Sequence, residues 1–230
     1  MSLYCTALHG LKDTQTARFM KPGFLTLYFG MFYKPNSTFI SVFESEKKLR
    51  YGFYSLLIPA TGYTIFYLMA YYAGGSPSTF KPWLALPIED YFRYDIFLTL
   101  PGYYLSWIGA AGTVYLLSRL MNGNSHFDNI LAIIGFGIGT ATWSSLLHDL
   151  TDAALSVAGV ISMSEYEKLL NQPTFWRGLL LTLYTIYFTW FLALFTIEIK
   201  ISQKFSIIKS LIVALIGLIT FQLILLIFIR

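Results

Sequence analysis

Charge is what this sequence has least of. Asp, Glu, Lys and Arg make up 12% of its 230 residues, about half the roughly 25% of soluble domains. Cysteine is nearly missing too. Cys5 stands alone, which excludes an intrachain disulfide and leaves the redox compartment open. Met1 to Lys21 lacks an apolar central run and carries His9, Lys12, Asp13 and Arg18, so no cleavable signal peptide is expected there. Internal repeats, low-complexity tracts and a boundary between soluble domains are likewise missing.

What the chain has instead is apolar surface. Hydrophobic residues reach 56% and the mean hydropathy is +0.59. A soluble core of this size buries only about three quarters of the chain's surface, so lipid is the solvent that fits. The net charge of +4 and pI near 9.0 do not form a groove-sized patch, which argues against nucleic acid as a partner. The basic residues sit at helix ends, where anionic headgroups would meet them.

Five uncharged runs have the length needed to cross about 30 Å of hydrocarbon: 51–73, 96–118, 129–147, 178–197 and 210–229. Eleven of the 16 Lys and Arg fall on the side of the N-terminus if the runs alternate, which predicts N-in and C-out. Tyr71, Tyr72, Trp83, Tyr91, Tyr94 and Trp176 cluster near outer ends and read as an interfacial aromatic belt. Residues 1–49 form a cytoplasmic segment ahead of the membrane domain at 50–230. Within that segment Phe24 to Tyr33 is too short to cross and reads as an interfacial or re-entrant helix. Asn36 or Ser37 is placed to cap an amphipathic helix over Thr38 to Leu49. Leu150 to Met163 reads as a weakly amphipathic outer helix. Pro59 and Pro101 should kink the first two spans. Gly109, Gly112, Gly135 and Gly139 are the candidate packing residues, and the Gly135–Gly139 GxxxG pair predicts close contact of the second and third spans.

Chemistry-bearing residues are few. The uncharged spans argue against an ion-coupled carrier. Ser145, His148 and Asp152 share one helical face at the outer end of the third span. The plain reading is a hydrogen-bonded polar helix end; the sharper ones are metal ligation or a nucleophile, base and orienter. Ligation needs about three protein ligands, and His9 and His126 are predicted on the other membrane face. No glycine-flanked nucleophile elbow accompanies Ser145. Neither metal nor cofactor is expected. Lys47, Lys48, Arg50, Lys200, Lys204 and Lys209 make a basic inner face, read as a topology determinant in contact with lipid headgroups or as a dock for an acidic partner. Glu198 and Lys200 read as snorkelling residues.

Three features carry a resemblance. Pro35-Asn36-Ser37-Thr38-Phe39 followed by Glu44-Ser45-Glu46 leads into the first span. Met121 to Phe127 forms a glycine-bearing inner turn ahead of Ile130-Leu131 and Gly135-Phe136. The five alternating runs are the third. Over roughly Lys34 to Arg230 the chain resembles the Yip family, the Ypt/Rab-interacting membrane proteins, particularly its prokaryotic and archaeal branch. It departs from the family where Gly137-Ile138-Gly139-Thr140 stands in place of an expected proline. The acidic-Leu-Tyr-Gly-Pro motif of eukaryotic members is missing as well, so GTPase binding is not carried over to any residue. The resemblance implies a non-catalytic membrane protein that binds partners or organises membrane.

The expectation is therefore an all-α polytopic membrane protein, a five-helix bundle with an N-terminal interfacial helix region. Its expected role is a non-enzymatic scaffold or accessory subunit, with membrane lipids and a membrane or peripheral protein as partners and homo-oligomers compatible. A permease component for a neutral or lipidic substrate is the alternative, and a membrane-embedded hydrolase the least favoured.

Overall fold

The computed structural model describes residues 22–75, 83–84 and 86–229. The expectations placed on Cys5, His9, Lys12, Asp13, Arg18, Lys21, Lys81 and Arg230 lie outside the described residues. The chain forms helices α1 (Phe24–Tyr33), α2 (Pro35–Phe43), α3 (Lys48–Tyr72), α4 (Tyr91–Leu120), α5 (Phe127–Ala141), α6 (Trp143–Val157), α7 (Met163–Leu170), α8 (Phe175–Gln203) and α9 (Ile207–Phe228). There is no strand among the described residues.

Helices α3, α8 and α9, of 25, 29 and 22 residues, are long and apolar enough to cross a membrane. The α5–α6 pair qualifies as a fourth if it is one broken span. At 30 residues α4 is the longest, but its tyrosines, serines and glycines dilute its apolar character, and it is not among those that qualify.

Contacts set the directions of the helices. Gly52 lies against Ala132, Ser55 against Gly139 and Gly62 against Leu146, so α3 runs parallel to α5–α6. Gly102 lies against Phe228 and Gly109 against Ile224, so α4 and α9 are antiparallel. Phe191 meets Phe221 edge to face at 5.4 Å and Tyr187 meets Gln222, which makes α8 and α9 antiparallel too. The glycine-mediated approach of backbone to backbone is α5 on α3, not the expected pairing of the second and third spans. Gly139 meets the Ser55 backbone, whereas Gly135 meets the Trp107 ring of α4. Gly112 faces open space.

The expected third span at 129–147 is instead a helix that breaks at Thr142 and continues to Val157, bent by 42°. No proline causes this. The Thr140 hydroxyl donates to Phe136 and Gly137 carbonyls, Thr142 to Ile138 and Ser145 to Thr142. Such back-bonding competes with the helical ladder, in a stretch already weakened by Gly135, Gly137 and Gly139. Pro59 and Pro101, where kinks were expected, lie inside unbroken helices. The anticipated helix over Leu150 to Met163 is also replaced. Its first half belongs to α6, Gly159 turns the chain at φ +71°, and Ser162 caps α7.

At the N-terminal end, α2 starts at Pro35 in the first helical turn, with Lys34 rather than Asn36 or Ser37 at the cap position. It ends at Phe43, so Lys48 and Leu49 belong to α3. Neither α1 nor α2 simply lies on the surface. Leu27, Tyr28, Met31, Phe39 and Val42 are buried in the same apolar cluster as the long helices. In the α4–α5 turn the left-handed conformation falls on Asn122 (φ 67°), a residue that tolerates it, while Gly123 lies against Gln203 and the Ser118 carbonyl, where a side chain would collide. The periphery is apolar: Phe97, Leu116, Leu181 and Ile208 are each more than half exposed. So large an apolar perimeter is compatible with lipid and not with water.

Candidate functional site

The kink at Thr142 turns α6 so that Ser145, His148, Asp149 and Asp152 all point inward and are buried. Around His148 the polar atoms close on one another. Its Nδ1–H donates to Asp149 Oδ1 at 2.8 Å, and the Tyr166 hydroxyl donates to Nε2 at 2.8 Å. This assignment gives each ring nitrogen one partner. The Tyr184 hydroxyl donates to Asp149 Oδ2 at 3.2 Å. On the α3 side, Tyr63 donates to Ser145 Oγ at 2.8 Å, and Ser145 in turn donates to the Thr142 carbonyl at 3.0 Å. Asp152 Oδ1 accepts the Ala153 N–H at 2.7 Å. Burial raises the Tyr166 phenol above its ordinary pKa.

Two hydrogen-bonded groups thus tie α6 to its neighbours, one through Tyr63 to α3 and one through Tyr166 and Tyr184 to α7 and α8. Ser145, His148 and Asp152 share a face as the spacing predicts, but they do not form a relay. Both His148 nitrogens are held by Asp149 and Tyr166, and Ser145 Oγ is engaged by Tyr63 and Thr142. Among the described residues, no group of three His, Cys, Asp or Glu is placed to hold a metal ion. Sequence reading gave Asp149, which lies in the same polar run, no role of its own and missed Tyr63, Tyr166 and Tyr184. The available signal was the demand for partners that a buried His creates.

A second buried group overturns the expectation of a charge-free interior. Glu198 does not snorkel. It is fully buried, and neither carboxylate oxygen has a hydrogen-bond partner among the described residues. Its carboxyl fills a notch at Gly137 of α5. Asp95 is buried within α4 as well. Tyr91, expected in the aromatic belt, is also buried, whereas Tyr72, Trp83 and Tyr94 are exposed.

The bend at Thr142 is held from the other side by α1. Trp143 Nε1–H donates to the Tyr28 hydroxyl at 2.6 Å, and that hydroxyl donates to the Gly139 carbonyl at 2.8 Å.

The basic residues gather at the end where α3 begins and α8 finishes. Lys48 donates to Asn129 and pairs with Asp128 at 3.8 Å at the start of α5. Gln203 accepts the Ser125 N–H at 3.2 Å just before it. Lys47, Arg50, Lys200, Lys204 and Lys209 are exposed. Compared with known proteins, the chain matches no family model, no curated protein and no solved structure.

Proposed function

We propose that this chain is a non-enzymatic, Yip-like integral membrane scaffold or accessory subunit with five crossings, N-terminus inside. The observation that carries this reading is the closed polar network. The hydroxyls, imidazole and carboxylates of α6 to α8 are used to tie helices together, and the outward surface is apolar. Such a bundle presents packing surfaces to lipid and to other helices, with a basic rim for a peripheral partner. The case for α4 as the fifth crossing rests on its two faces. Asp95, Thr99 and Ser106 turn inward and are fully buried, while Phe97, Leu105, Ile108 and Leu116 turn out. Purification from native membranes in mild detergent tests the scaffold reading: a defined partner should co-purify, and a chain that always emerges alone removes it.

One observation favours a permease component as the second reading. A carboxyl as fully buried as Glu198 is costly to keep and marks a functional position by default, which points to a cation or proton as cargo rather than the neutral or lipidic substrate expected from the sequence. Flux into liposomes that falls in Glu198→Gln would support this reading; flux equal to empty liposomes would end it.

A further inference from the structure

We infer that the start of α3 holds one anionic phospholipid, its phosphate on Arg50 and an acyl chain along Phe53, Tyr54 and Trp107. The groove there has a volume of about 360 Å³ and is lined by Leu49, Arg50, Phe53, Tyr54 and Trp107. Its walls are preformed. Trp107 Nε1–H donates to the Leu131 carbonyl at 2.7 Å, the Tyr104 hydroxyl donates to the Phe53 carbonyl at 3.3 Å, and the Phe53 and Tyr104 rings lie 4.9 Å apart.

The head of the groove is positive. Arg50 reaches the Tyr54 hydroxyl at 3.5 Å and lies 6.0 Å from the centre of its ring, which directs the guanidinium over the mouth. Lys47 precedes it on the same helical stripe, three residues back. Lys48 is already engaged by Asp128 and Asn129. Lys47 and Arg50 make no ion pair among the described residues. The rim stays basic overall, with Lys47, Lys48, Arg50, Lys200, Lys204 and Lys209 against Glu44, Glu46 and Asp128.

Charge and shape together identify the occupant. A guanidinium recognises a phosphate diester through paired N–H donors, but a free phosphate would use none of the aromatic floor. A neutral lipid would use the floor and leave the charge idle. Phe53 and Tyr54, both more than 40% exposed beside a cation, suit a lipid that has both parts. The inference needs the chain to sit in a membrane, but not to be a scaffold rather than a permease.

The test is lipid retention by the full-length chain in native mass spectrometry, with phosphatidylglycerol and phosphatidylcholine of identical acyl chains. One phosphatidylglycerol should be kept in preference to phosphatidylcholine. Arg50→Gln should lower its retention about five-fold, the effect of losing one basic contact near a membrane surface. Phe53→Ser should lower retention as well. Lys209→Gln, on the same rim but outside the groove, should leave it unchanged. Equal retention by Arg50→Gln overturns the proposal, as do equal retention of phosphatidylcholine, an equal loss in Lys209→Gln, or displacement by millimolar inorganic phosphate. All three exchanged side chains are exposed, so correct folding is checked by an unchanged melting temperature in the lipid-free protein.

Discussion

A carboxyl group with no hydrogen-bond partner in an apolar interior lacks the compensation that normally accompanies burial, and Glu198 is such a group among the described residues. The notch that admits it exists because residue 137 is glycine; a Cβ there would occupy the position of the carboxylate. Gly137→Ala should therefore cost about 1–3 kcal/mol of stability from overpacking. Combined with Glu198→Ala, the loss should shrink by more than about 0.5 kcal/mol relative to additivity. Unfolding of the four variants in mixed micelles gives this coupling, and strict additivity would show that the two residues do not share the notch. His148 offers a different case. His148→Ala leaves Tyr166 and one oxygen of Asp149 unpaired and should cost about 1–3 kcal/mol, with Tyr166→Phe costing less. A variant as stable as the parent would mean that the network carries no structural load. The position of His148, Asp152 and Ser145 on one face was legible from helical spacing. The tyrosines that hold this face were not, because Tyr63 on Ser145, Tyr166 on His148 and Tyr184 on the neighbouring Asp149 come from three other helices.

At the scale of elements, glycine spacing foretold close helix packing but not its address. Gly135 and Gly139 lie on α5, yet one meets the side chain of Trp107 on α4 and the other the backbone of Ser55 on α3. Backbone cannot move aside as a ring can. Gly139→Ala should lower the melting temperature sharply, whereas Gly112→Ala, facing open space, should be neutral or raise it by the helix propensity gain of up to about 1 kcal/mol. Equal effects at the two positions would refute the α3–α5 contact. The break at Thr142 was hidden for a related reason. Runs of Gly, Ser and Thr weaken a helix without stating where it bends, and Tyr28 of α1, bonded to Gly139 and Trp143 on either side of the break, selects the place from outside the helix.

For the whole molecule, alternating helix directions place the α8–α9 turn and the α6–α7 turn at opposite ends. If the proposed five crossings hold, single cysteines at Ser206 and Ser162, in a Cys5→Ser background, should react with membrane-impermeant reagents from opposite faces of sealed vesicles. Reaction of both from one face would remove either a crossing or the alternation. A chain end is not needed for this test, since both positions sit on turns between described helices.

What the sequence determined by itself was class and placement: an all-helical chain, four of whose five uncharged runs lie on long helices, with its basic residues at helix ends. Hydropathy and charge act locally along the chain, so composition and spacing were enough. The tertiary structure alone decided which polar groups turn inward. Glu198 looked like a span end within reach of the headgroups, but α8 runs on to Gln203 and carries Glu198 into the Gly137 notch. Burial of one side chain depends on which neighbour faces it, and that neighbour lies some sixty residues away in sequence, a distance over which local periodicity holds no information.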